Sequence, residues 1–378
     1  LKAVTALNRD FFIVDILHLQ AITLWISSLG FLVYTWWRPA EREENQIQTG
    51  VIVGLFVYAL ISTLLLGGQA YATLFAPDQI WTGVLSLLSI VLLAWLAAPR
   101  INKRTLRYLF WSMAAVALIS LISSLPSIAE GQRLAGIVLQ PNILAIILGC
   151  GYIAGLYAKG YQHSRLRAAG LLVVVIAILL TQTRAVILLL PAIAAPLLLR
   201  LPTSRRKYAW LALAAAVVCA ALIAPRITSL DRLAYGVTYR YDLAAYGVQN
   251  MTVMPPWGFG PDALSTVSGD YFPLPASLQA TTVTDQKLLE STHVVVIDRF
   301  LEYGWLGGLS YLLLIVLFIV QGVKKRHDPL ILTMFAIGCF VLIQQMVTVA
   351  RFHSELLAWL AMLTVILKKP TESGGHDA

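Results

Sequence analysis

Apolar runs of about 20 residues, long enough to cross a bilayer as a helix, recur along nearly the whole chain. In hydrocarbon every backbone N–H and C=O must find a partner within the protein, and runs of this length do so as helices rather than as a barrel. The expected fold class is all-α, a polytopic membrane bundle. Composition agrees, with 58% hydrophobic and 12% charged residues and a mean hydropathy of +0.76.

Spans are expected at 11–37, 47–66, 78–98, 108–125, 141–158, 168–181, 185–199, 208–224, 293–320, 329–349 and 355–367. Basic connections (WWRPAEREEN, PRINKRTLR, KGYQHSRLR, RLPTSRRK, GVKKRHD) alternate with GGQAYATLFAPD, PSIAEGQRLAG, TQTR and VARFHSE, which carry one basic residue or none. That alternation follows the positive-inside rule and places the C-terminus in the cytoplasm. It also places Leu1 on the outer side, so a further helix is expected upstream, making twelve. The net charge of +9 is thereby read as topological, with membrane lipids rather than nucleic acid as its counterpart. Three regions follow: an N-terminal bundle over 1–224, one long outer connection over 225–292, and C-terminal helices with a tail over 293–378.

Two features interrupt this regular pattern. The short spans 168–181 and 185–199 meet at TQTR, an arrangement tolerated at membrane depth where it lines a protein cavity. The connection 225–292 is rich in Tyr, Pro and Gly, and loops of that length in compact bundles usually carry function.

The outer side carries few basic residues, among them Arg133, Arg184, Arg240 and Arg351. An arginine there ordinarily snorkels or pairs with a nearby acid. Arg184 has no acid close in sequence, so an anionic partner is expected from elsewhere, and a guanidinium suits the oxygens of a diphosphate. Arg133 precedes Pro141 and Asn142, which open a span. Arg240 stands before a Pro- and Gly-rich turn, WGFGP, that shapes a loop. His293 begins a helix that holds Asp298 and Glu302 farther along, where a lone histidine is more often a polar cap than a base. Glycine pairs in GWLGG and GYIAG are expected to allow close helix packing. Cys150, Cys219 and Cys339 sit singly in apolar runs, without metal-ligand spacing. No Asp-x-Asp, His-Cys cluster or Gly-x-Ser-x-Gly appears, so neither a metal-dependent glycosyltransferase nor a serine hydrolase is signalled, and no cofactor is expected.

The series His293, Glu302, Gly304, Gly307 resembles the signature of the O-antigen ligase and O-antigen polymerase superfamily. That signature is a histidine, a polar residue, nine residues and Gly-x-x-Gly; Val294 stands here where the polar residue is usual. RLAGIVLQPNILA, TQTRAVILLL and RYDLAAYGVQNMTVMPPWGFGPDAL are similar to further segments of the family, in the family's order, from Arg133 to Gly308. The resemblance implies a metal-independent, inverting glycan transferase at the periplasmic face of the bacterial inner membrane. Its donor would be a glycan on undecaprenyl diphosphate and its acceptor lipid A-core. His293 would serve as base, Arg184 and Arg240 would steady the leaving diphosphate, and Arg133, Asn142, Glu302 and Arg351 would bind substrate. Glu302 would either orient His293 or hold the helix. A polymerase or a protein O-oligosaccharyltransferase would share this site and differ in acceptor. A transporter or flippase for an anion is the reading from another class, though only one broken pair of helices is present where transporters commonly repeat the feature.

Overall fold

The computed structural model describes residues 46–66, 83–136, 140–157, 164–187, 189, 230–261, 272–279, 291–346 and 352–370. These residues are helical or in connections, with no strand among them. The helices are α1 (Gln46–Leu66), α2 (Val84–Ala97), α3 (Lys103–Ser123), α4 (Leu125–Ala129), α5 (Pro141–Tyr157), α6 (Ser164–Thr181), α7 (Leu230–Asn250), α8 (Val295–Lys324), α9 (Pro329–Gln345) and α10 (Phe352–Leu367). Three are long and apolar enough to cross a membrane: Thr49–Leu66 of α1, α3 and α8. Shorter apolar helices cover Val84–Arg100, Pro141–Leu156, Pro329–Gln345 and Ser354–Leu367. The expected spans 11–37 and 208–224, and most of 185–199, lie outside the described residues.

The chain divides into two compact units. The first comprises 1–100, 241–320 and 349–369, and the second 101–240, 321–348 and 370–378.

In the first unit α2 packs on α10 and α1 on α2. Its core is aromatic: Phe56 of α1 meets Trp359 of α10 with ring centroids 5.0 Å apart, and Tyr303 and Tyr311 of α8 at 6.0 and 6.1 Å. Helix α8 is broken. Tyr303 (φ −122°, ψ 16°) and Gly304 (φ 67°, ψ −171°) leave helical geometry, so nearby carbonyls lose their usual i+4 donors. The WGFGP turn replaces those donors. Phe259 N–H donates to the Leu301 carbonyl at 2.7 Å and Gly260 N–H to the Glu302 carbonyl at 3.0 Å. Thr63 of α1 holds the turn from its other side, its hydroxyl 2.6 Å from the Trp257 carbonyl. Gly304 is thus required by a positive φ and by contact, whereas the sequence suggested close helix packing alone.

Helix α7 lies inside what read as an irregular connection. Leu243, Tyr246, Gly247 and Asn250 are buried, the i, i+3, i+4, i+7 pattern of one helical face. The Tyr246 hydroxyl donates to the Phe272 carbonyl at 3.2 Å, and the Ser277 hydroxyl bonds Asp242, which fastens residues 272–279 to this helix.

In the second unit α3, α5 and α6 pack on one another, and α9 packs on α5. The glycines of GYIAG work as expected: a Cβ on Gly151 would stand 2.3 Å from Met113 Cβ, and one on Gly155 2.5 Å from the Phe110 ring. Helix α3 starts on an Asn102–Thr105 capping box. Cys150 and Cys339 are free thiols, and Cys219 lies outside the described residues.

Candidate active site

The interruption expected at TQTR is present. Helix α6 ends at Thr181, Gln182 takes a left-handed conformation (φ 53°), and helical geometry resumes at Arg184. Carbonyls at the end of α6 therefore lack intrahelical donors. The segment before α5 supplies them. Leu134 N–H donates to the Leu180 carbonyl at 2.9 Å, and Arg133 Nε donates to the Thr181 carbonyl at 2.8 Å. Close packing forces this segment to carry a glycine, because a Cβ on Gly136 would stand 2.3 Å from Ser120 Oγ.

With Nε fixed, the Arg133 guanidinium faces the start of α5. Its Nη2 donates to Asn142 Oδ1 at 3.0 Å and to Thr183 Oγ1 at 3.2 Å, while Thr183 Oγ1 also lies 3.2 Å from Asn142 Oδ1. Arg184 acts on the same group. The guanidinium of Arg133 is pushed below its ordinary pKa, first by burial and then by the positive charge of Arg184. No acidic side chain pairs with either arginine among the described residues. The fixed Arg133 guanidinium, an amide and a hydroxyl thus meet in the second unit, with Arg184 close enough for its charge to act on Arg133, a group with the chemistry of an anion site.

His293 belongs to the first unit, directly ahead of α8. Its backbone is left-handed (φ 59°), which a non-glycine residue adopts only when its surroundings hold it. The hold is visible. His293 N–H donates to Ser291 Oγ at 3.0 Å, and Ser291 Oγ donates to Asp298 at 2.6 Å. The backbone N–H and the hydroxyl of Thr292 each donate to Asp298 Oδ1 at 2.8 Å. Asp298 reaches back from the first turn of α8 and anchors the turn that carries the histidine.

Glu302 forms an ion pair with Arg299, whose Nη2 also lies 2.5 Å from Glu355 Oε1 on α10. Trp359 Nε1 donates to Glu355 Oε2 at 3.1 Å, and the Arg299 guanidinium lies 5.6 and 5.8 Å from the ring centroids of Tyr303 and Tyr311. Arg299 and Glu355 are each 1% exposed. Of the two roles open to Glu302, these contacts favour holding the helix. The sequence reading missed Arg299 and Glu355. A signal for both existed, since an arginine and a glutamate within apolar runs must find partners when buried.

Arg240 is exposed on α7, and Arg351 lies outside the described residues. No group of three or more His, Cys, Asp or Glu side chains that could hold a metal occurs among the described residues.

Residues 168–312 match the family model described as O-antigen ligase. That stretch is similar to an O-antigen ligase domain. A comparison with curated proteins gives no match. The matched stretch of this domain opens within α6 and closes within α8, so it contains the Gln182 break with Arg184, the WGFGP turn, His293 and the Gly304 break. Arg133 and Asn142, which complete the arginine cluster, lie ahead of it. The match and the apolar helices support a reading of the chain as an O-antigen ligase-like or polymerase-like membrane glycosyltransferase.

Proposed function

We propose that the chain transfers a glycan from undecaprenyl diphosphate to a hydroxyl of lipid A-core, at the periplasmic face of the bacterial inner membrane. The observation that carries the donor half is Arg133 bonded to Asn142 and Thr183, with the charge of Arg184 acting on it and no acid paired with either arginine among the described residues. Guanidiniums stay charged at every working pH and offer several donors in a plane, which suits two phosphate groups. Arg240 is assigned to the same leaving group.

The reaction is a single displacement. The acceptor oxygen attacks the anomeric carbon, the bond from that carbon to the diphosphate oxygen breaks, and the configuration inverts. The hydroxyl proton passes to His293, whose ordinary pKa lies close to neutral. Fixed positive charge stabilises the departing undecaprenyl diphosphate, the task that a divalent metal performs in other transferases. A polymerase would use the same donor chemistry with a second lipid-linked glycan as acceptor, and a protein O-oligosaccharyltransferase would use a protein hydroxyl. The O-antigen ligase match favours any of these over transport.

The test is glycan transfer in membranes of a strain lacking its own ligase, with wild type, His293→Ala and Arg184→Ala at matched expression. Transfer to lipid A-core that disappears in both variants supports the proposal. Lengthened lipid-linked glycan without transfer identifies a polymerase. Undiminished activity in both variants overturns the assigned site.

A further inference from the structure

A left-handed histidine is an uncomfortable residue. It persists where neighbouring bonds outweigh the backbone cost, and the useful question is which bonds those are. Around His293 they converge on one carboxylate. Ser291 Oγ accepts from the His293 N–H while donating to Asp298, and Thr292 gives Asp298 both its N–H and its hydroxyl. Thr292 Oγ1 also lies 3.2 Å from the Val294 N–H, so the hydroxyl spans the histidine on both sides. Ser291, Thr292 and Asp298 are buried, at 8%, 0% and 8% exposure, where these bonds compete little with water. The Thr292 methyl fills the space beside Gly247 of α7, where a Cβ would stand 2.4 Å from it.

We infer that Thr292 and Asp298 are positioning residues, which hold the backbone of His293 in its left-handed conformation and so aim the imidazole at the acceptor hydroxyl. This rests on the reading of His293 as the base. Two properties follow from the geometry. The effect belongs to the Thr292 hydroxyl and not to its shape, because within that side chain the hydroxyl and not the methyl bonds to Asp298 Oδ1 and Val294 N–H. It also acts on the chemical step, because neither residue belongs to the arginine cluster assigned to the donor.

The experiment compares Thr292→Val, Thr292→Ser, Asp298→Asn and His293→Ala with wild type. Each protein is purified and reconstituted in bilayers, with undecaprenyl-diphosphate-linked O-antigen as donor and lipid A-core as acceptor. Thr292→Val keeps the volume and loses the hydroxyl, so kcat should fall roughly 10- to 100-fold, as expected for a displaced catalytic group, with the donor KM unchanged within about twofold. Thr292→Ser should recover most of that loss. Asp298→Asn, which keeps the shape and removes the charge, should lower kcat in the same sense. A Thr292→Val protein as active as wild type beside an inactive His293→Ala would overturn this inference alone. So would equal losses in the Val and Ser variants that follow lost thermal stability, since packing would then explain both. An active His293→Ala, or a wild type without transfer, would remove the reading of the base and this inference with it.

Discussion

Gly258 and Gly304 meet backbone to backbone: a Cβ on Gly258 would stand 2.5 Å from the amide nitrogen of Gly304. The contact is the closed end of the clasp in which the WGFGP turn donates to the Leu301 and Glu302 carbonyls.

Gly304→Ala should therefore be among the most damaging small substitutions in the chain. An alanine at φ 67°, ψ −171°, a region essentially confined to glycine, costs about 1–3 kcal/mol on conformation alone, and its Cβ would stand 1.9 Å from the Pro256 carbonyl oxygen. Thermal unfolding in detergent should show a large loss of stability or little folded protein. Gly54→Ala in α1, where nothing lies within 4 Å of the added carbon, should be neutral or stabilising by up to about 1 kcal/mol.

The Arg299 cluster gives a sharper energetic test. Arg299→Met would leave Glu302 and Glu355 facing each other in the core and should cost about 3–5 kcal/mol, the range for removing one partner of a buried ion pair. Adding Glu302→Gln and Glu355→Gln to Arg299→Met should return much of that loss, because no uncompensated charge then remains. Unfolding curves for the single and triple variants would show it, and a triple variant no more stable than Arg299→Met would contradict it.

Asn142→Asp should separate stability from function in the second unit. A carboxylate beside Arg133 would offset the mutual repulsion of Arg133 and Arg184 and would occupy the place given to the donor's phosphates. Transfer should fall, while the midpoint of thermal unfolding rises.

Gln182 allows a backbone test. Gln182→Pro would force φ to about −65° where the chain needs 53°, and would remove the N–H that donates to the Leu179 carbonyl at 3.1 Å. It should abolish stable folding. Gln182→Gly should leave the yield of folded protein, read by size-exclusion chromatography in detergent, at or above that of wild type, because glycine takes the left-handed region without strain.

Much of the frame could be read from hydrophobic length. Helices α1, α3 and α8 coincide with expected spans to within a few residues, because bilayer thickness dictates a run that survives any detail of packing. The break after Thr181 was legible from two spans too short to stand alone. What escaped depends on contacts distant in sequence. The α7 helix is amphipathic rather than apolar, so a search by length passes over it. Arg299 lies 56 positions from Glu355, and spacing along one helix cannot reveal such a partner. Arg133 was singled out for its place before Pro141 and Asn142, but its bond to the Thr181 carbonyl becomes predictable only once the α6 break is seen as a source of free acceptors.

That bond has an evolutionary corollary. Arg133 is held through a carbonyl that is available only because α6 stops, so the imperfection of the helix and the placement of the cation are one heritable trait. A substitution that repaired the helix would give the Thr181 carbonyl a local donor and release the arginine. Selection for a sturdier span and selection for a fixed cation therefore pull in opposite directions at Gln182, and a lineage can improve one only by surrendering the other.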